Sequence, residues 1–214
     1  METPCRDLLE FAGEARFRTV LADPPWQFQN RTGKVAPEHR RLSRYETMTL
    51  EEIAALPVDR VVEEPAHLYL WVPNALLPDG LRVMQAWGFR YKGNLVWHKV
   101  RKDGGSDGRG VGFYFRNVTE LLLFGVRGRS ARTRDAGRRQ VNLFASRKQE
   151  HSRKPAEQYA IIESCSSGPY LELFARGTRP GWSSWGLQAV EGYEPTWPTY
   201  ADHSGANGSV ADRG

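Results

Sequence analysis

Seven consecutive residues, AHLYLWV (66–72), leave no side for water to wet. A strand with one solvated face alternates apolar and polar side chains, whereas a strand covered on both faces does not. The run therefore predicts a strand inside a parallel sheet flanked by helices on both sides. FRTVLA (17–22), FRYKGNLVWHK (89–99), NVTELLLFGV (117–126) and GPYLELFAR (168–176) read as further strands. Three helical stretches lie between them. TLEEIAAL (49–56) opens with Thr49 and Glu52 at capping-box spacing, NALLPDGLRVMQAWG (74–88) ends at a glycine, and SRKPAEQYAIIESCS (152–166) carries Pro155 near its start. Such alternation specifies an α/β fold with a mostly parallel, doubly wound sheet.

At 214 residues the chain suits one α/β domain with its own core, expected over 1–189. Residues 190–214 are polar and rich in Gly and Ser, and are expected to be disordered. No apolar stretch approaches the ~20 residues of a membrane span, and Cys5 and Cys165 lack metal-ligand spacing, so a reducing cytoplasm is the expected setting. His67, His98 and His151 have no acidic neighbours at ligand spacing, and no metal site is expected. The tryptophans at 71, 87, 97, 182 and 185 read as core.

The net charge of +5 is unevenly spread. RGRSARTRDAGRR (127–139) holds six arginines against one aspartate, and RTGKVAPEHRRLSR (31–44) holds five Lys/Arg against one Glu. A guanidinium bonds two phosphate oxygens at once, so Arg127, Arg129, Arg132 and Arg134 are candidates to grip a nucleic-acid backbone. The glycine-rich RKDGGSDGRGVG (101–112) reads as a loop able to close over a site.

The strand FRTVLA runs into DPPW (23–26), and that junction carries the chemistry. Ligands of open α/β sheets sit beyond the carboxyl ends of the strands. Prolines there fix φ and remove N–H groups, leaving carbonyl oxygens as the local polar atoms. Asp23 and the Pro24 carbonyl are then two acceptors beside the Trp26 ring, a set that suits an exocyclic amine on a flat heterocycle. The lone pair of such an amine is conjugated into its ring. Acceptors that draw both protons out of plane favour the transition state over the ground state, and a sulfonium methyl is a fitting electrophile.

DPPW after an apolar strand resembles the Asp/Asn/Ser-Pro-Pro-aromatic motif of amino-methyltransferases that act on nucleic acids. The Asp and Trp variant resembles that of the MT-A family, adenine methyltransferases named after the seventy-kilodalton subunit of the mRNA-methylating enzyme. YETMTLEEI (45–53), LYLWVPNALL (68–77), NLVWHK (94–99), GRGVGFYFRNVTELLLFGVRG (108–128), HSRKPAEQY (151–159) and YLELFAR (170–176) resemble further family segments in the same order. The resemblance covers about residues 16–188. It implies a Rossmann-like methyltransferase fold with permuted motif order, the amine motif early and the cofactor strand late.

It also implies S-adenosyl-L-methionine as cofactor and the 6-amino group of adenine as target. Asp23, Pro24, Pro25 and Trp26 are the implied catalytic residues. Trp26, Tyr45 and Glu120 would line the substrate site. Asp23, Lys154, Phe174, Arg176, Thr178 and Gln188 would hold the cofactor. Thr178 and Arg179 stand where the family commonly has His and Asn, and Leu187 replaces the asparagine before Gln188. A compact domain of this kind resembles the bacterial and phage-type members, for which DNA is the expected substrate. RNA, or a catalytically weak role as a nucleic-acid-binding partner subunit, is the alternative. Family members commonly pair with a homologue, so a homodimer or heterodimer is expected.

Overall fold

The computed structural model of the chain describes residues 2–27, 47–107, 114–147 and 153–192. Seven strands form one sheet in the order β5-β3-β4-β2-β1-β6-β7. These are β1 (Phe17–Ala22), β2 (Val62–Val72), β3 (Arg90–Val100), β4 (Thr119–Arg127), β5 (Leu143–Arg147), β6 (Tyr170–Leu173) and β7 (Trp182–Trp185). β1 pairs in parallel with β2 and β6, β6 with β7, and β3 with β5. β4 runs antiparallel to both β2 and β3. The sheet is mostly parallel, as expected, and β1 and β6 meet across nearly the whole chain length. That adjacency gives the permuted order its structural meaning, because the early motif and the late strand end side by side.

Side-chain alternation sorts the core into two layers. Along β2, Ala66, Leu68, Leu70 and Val72 enter one cluster, while Tyr69 and Trp71 enter the other. Both faces are covered, which is why the run shows no hydrophobic alternation. The first layer packs α1 (Glu2–Ala12), α2 (Leu50–Ala54) and α3 (Leu77–Ala86) through Leu8, Ile53, Val83 and Met84. The second packs α4 (Glu157–Cys165) through Ile162 and Tyr159. The expected core tryptophans are all buried, and each indole N–H is satisfied, Trp71 by Gln158 and Trp87 by the Ile53 carbonyl. The Thr49/Glu52 capping box is present, and Gly88, after α3, has φ +79°, a conformation that favours glycine.

Three elements escape the sequence reading. α1 places Cys5, Leu8, Leu9 and Ala12 on one stripe, the apolar spacing of an amphipathic helix. β5 and β7 are short edge strands whose pairing partners define them. One boundary moves with consequence: the expected helix 152–166 begins at Glu157. Pro155 disfavours the helical conformation of the residue before it, so Lys154 stays outside the helix and projects towards the sheet end. The expected closure by the 101–112 loop rests partly on residues 108–112, which lie outside the described residues, as do those beyond residue 192.

Candidate active site

Residue parity brings the site together. Val20 and Ala22 of β1 face the first layer and Leu21 the second, so Asp23, one step beyond the strand, falls on the α4 side. The same count puts Trp71 of β2, Glu120 of β4, Trp97 and Lys99 of β3 and Glu172 of β6 on that side. The register aligns them at one end: Ala22 pairs with Leu70 and Leu173, Trp71 with Leu122, and Trp97 with Glu120.

A chain of four charges crosses this end of the sheet. Lys154 Nζ lies 3.0 Å from Asp23 Oδ1 and 2.9 Å from Glu120 Oε1. Lys99 Nζ lies 2.8 Å from Glu120 Oε2. The ammonium of Lys154 sits 5.4 Å from the Trp71 ring centre and that of Lys99 4.9 Å from Trp97. Two acids and two ammoniums cancel, which makes such burial tolerable. The side chain of Asp23 keeps 25% of its surface exposed against 14% for Lys154, so the acid is the open end of the chain.

Burial alone would push Glu120 upward, but the Lys154 and Lys99 ammoniums outweigh it and hold its carboxyl well below the usual range. Burial would pull Lys154 down, and Asp23 and Glu120 reverse that, leaving it above its ordinary value. Glu172 behaves oppositely. Burial drives its carboxyl up to about 7, the neighbouring Asp23 charge adds to the rise, and the Tyr159 hydroxyl, donating at 2.9 Å, opposes it. Neither Lys99 nor Glu172 is among the expected site residues. The available signal was a charge inside an apolar strand, in NLVWHK and YLELFAR.

The DPPW turn is rigid, and its indole is not where the sequence reading puts it. Trp26 is 6% exposed, packs in the first core layer and donates its ring N–H to the Trp71 carbonyl at 2.9 Å. It is a buried anchor of the turn and offers no open stacking face in this structure. Pro24 O accepts the Trp26 backbone N–H at 2.8 Å, and Pro25 O accepts that of Met48 at 3.1 Å. A carbonyl has two lone pairs, so Pro24 retains one acceptor position. Tyr45, expected to line the adenine site, lies outside the described residues.

At the end of β6 the chain turns through Phe174 at φ +62°, its ring edge-on to Trp185. Arg176 then forms a bridge with Gln188, and Gly177 N donates to Gln188 O at 2.7 Å. Phe174, Arg176 and Gln188 thus lie beyond the β6 end that adjoins Asp23, with Thr178 exposed next to them and Leu187 91% exposed.

The arginine stretch lies elsewhere. β4 runs against its neighbours, so Arg127 pairs with Ala66 near the start of β2. About five residues of strand, roughly 17 Å, separate that position from the Asp23 end. Arg127, Arg129, Arg132 and Arg134 therefore do not line the Asp23 site. Arg134 is moreover committed to the protein, donating to Ser167 Oγ and the Glu163 carbonyl at 3.2 Å each.

The comparisons with known proteins converge. A sequence profile of the MT-A70 family matches residues 17–188, from the first residue of β1 to Gln188. The chain is 27% identical over 192 residues to the type II methyltransferase M.MunI of a Mycoplasma species, covering 81% of this chain and 78% of that one. It is 27% identical over 177 residues to the human N(6)-adenosine-methyltransferase catalytic subunit METTL3, covering 81% of this chain and 28% of that one. It is 29% identical over 127 residues to the N6-adenosine-methyltransferase non-catalytic subunit MTB of Arabidopsis thaliana, covering 56% of this chain and 15% of that one. It therefore spans most of M.MunI but less than a third of these plant and human subunits. With the profile running through the whole strand system that builds the site, the chain belongs to the MT-A70 family of adenine methyltransferases.

Proposed function

We propose that the protein transfers a methyl group from S-adenosylmethionine to the 6-amino group of adenine in DNA. The carrying observation is the ion-paired Asp23, held by two prolines at the carboxyl end of a parallel strand and still partly open to solvent. The donor set suits an amino-acid head group, with Lys154 for a carboxylate and Asp23 and Glu172 as acceptors for an ammonium. Arg176, Thr178 and Gln188 supply polar groups for a ribose. Once bound, S-adenosylmethionine supplies a methyl activated by its sulfonium.

The residues of the chain do the rest. Asp23 and the remaining lone pair of the Pro24 carbonyl accept the two N–H bonds of the amine. Drawing those bonds out of plane frees the nitrogen lone pair, an interaction stronger in the transition state than in the ground state. The nitrogen must lose a proton as it gains the methyl group, and the Asp23 carboxylate is the acceptor at hand. Lys154, at 3.0 Å, orients that carboxylate, and Glu120 and Lys99 hold Lys154 in turn. DNA is preferred because the chain aligns with M.MunI, a type II methyltransferase, over 78% of that protein. A base inside a duplex must then be flipped out, at a few kcal/mol.

Tritium-labelled cofactor offered in parallel with duplex DNA, single-stranded DNA and RNA tests this. Label in adenine of DNA is expected. Label in RNA alone overturns the substrate, and label in none overturns the activity. A second reading, a nucleic-acid-binding partner subunit without turnover, draws on Leu187, an exposed apolar group where the family's asparagine stands. Calorimetry showing no cofactor binding while nucleic acid still binds would establish it.

A further inference from the structure

The arginine stretch, displaced from the Asp23 site, is neither a loose loop nor a spent one. Backbone bonds fold it against α4: Arg134 N donates to Cys165 O at 2.8 Å, and Arg139 N to Ala136 O at 3.0 Å across a single helical turn, Asp135–Arg138. Arg134 braces the loop, and Arg138 pairs with Asp135 at 3.2 Å. Arg129, Arg132 and Arg139 remain. All three are exposed, and none of their guanidiniums has a hydrogen bond or ion pair among the described residues.

A loop ordered by its own backbone that presents three uncommitted guanidiniums is pre-organised for bidentate phosphate contacts, because the cost of ordering it has been met in the fold. Its place defines what it can hold. Asp23 and the loop lie at opposite ends of the same α4-covered face. Their separation of about 17 Å along the strands corresponds to roughly five base pairs of duplex at 3.4 Å each. A mononucleotide cannot touch both ends, and a long nucleic acid can.

We infer that Arg129, Arg132 and Arg139 form a phosphate-binding surface for the duplex flanking the target base, remote from the reacting atoms. This rests on the substrate reading above and adds where the flanking strand lies. The surface sets affinity and salt dependence without entering the chemical step.

The test compares wild type, a triple Gln variant (R129Q/R132Q/R139Q) and a triple Lys variant (R129K/R132K/R139K). Binding to a labelled duplex of about 30 base pairs is followed by anisotropy against salt, without cofactor. Each lost contact should lower the slope of log K against log salt by about 0.9, so the Gln variant should lose up to about 3. The Lys variant should keep most of the slope. Methyl transfer to a short single strand that reaches only Asp23 should stay within about twofold of wild type, which also reports an intact fold. An unchanged slope in the Gln variant overturns the surface. A reduced slope together with loss of short-strand turnover overturns its remoteness. Arginine-dependent duplex binding in a wild-type protein that transfers no methyl group upholds the surface and sinks the catalytic reading alone.

Discussion

The two ends of the α4-covered face carry polar networks of opposite character. At the carboxyl end, Lys99, Glu120, Lys154 and Asp23 form a run of full charges, each side chain between 14% and 25% exposed. At the amino end, Ser166 Oγ lies 2.7 Å from His67 Nδ1 and 2.8 Å from the Tyr69 hydroxyl, while Tyr170 donates to the Ser166 carbonyl at 2.9 Å. This second network is sealed, with Ser166 1% and Tyr69 2% exposed. Burial pulls His67 down and pushes Tyr69 up, so both rest in their neutral forms. Neutral hydroxyls can be closed off once their hydrogen bonds are made, whereas charges must stay balanced and are costly to seal. The sealed end braces the arginine loop, and the charged end is left reachable for chemistry.

The sharpest way to break this contrast is Asp23→Ala. Methyl transfer should fall about a thousandfold, by analogy with loss of one pre-organised transition-state contact, while cofactor binding, which keeps Lys154 and Glu172, weakens far less. Single-turnover label transfer near the wild-type rate would remove Asp23 from its role. Next in size, Glu120→Gln strips Lys154 and Lys99 of their shared carboxylate and should cost about 3 kcal/mol of stability. Ser166→Ala at the neutral end should cost about 1–2 kcal/mol. Urea unfolding of both variants measures the difference, and equal losses would erase the distinction between the ends.

The ends should also pull stability in opposite directions with pH. Glu172 has a folded value raised to about 7 from an ordinary 4.5, so the native state holds the proton more tightly. Its contribution is full below pH 4.5 and fades as pH rises to about 7, on the order of 2 kcal/mol across the window. The folded value of His67 is lowered from 6.5, so the native state releases its proton more readily. Its contribution is present above pH 6.5 and is lost on acidification. Glu172→Gln should therefore leave a stability curve that rises with pH in this range, and His67→Gln one that falls. Thermal melts from pH 4.5 to 8 read both, and parallel curves would refute the assignment. The smallest effect expected is from Leu187→Asn, which restores a polar group beside Gln188. Cofactor affinity should rise about fivefold, the worth of one hydrogen bond, and an unchanged calorimetric Kd would place the cofactor away from that position.

Much of this was legible in the chain. The unbroken apolar run of β2 announced a doubly covered strand, and Asp23 to Trp26 announced a rigid acceptor turn at a strand end. The resemblance singles out Lys154, which the structure brings to Asp23, and its escape from α4 follows from Pro155 next to it. One expectation fails: the Trp26 ring, expected to line the substrate site, is buried, an outcome that depends on where its side chain finally points. Tryptophan has enough apolar surface to serve either the core or a ligand, and the turn alone does not choose between them.

Local patterning determined the elements, the α/β class and the identity of the turn, because these follow from periodicity, propensity and the missing N–H groups of two prolines. Tertiary structure alone decided three things: that β1 and β6 are neighbours, that Lys99 and Glu172 join the charged end, and that β4 carries the arginine stretch to the far side. Those outcomes depend on strand order and direction, which are set by which apolar faces bury one another across the whole chain. No local window of sequence contains that information.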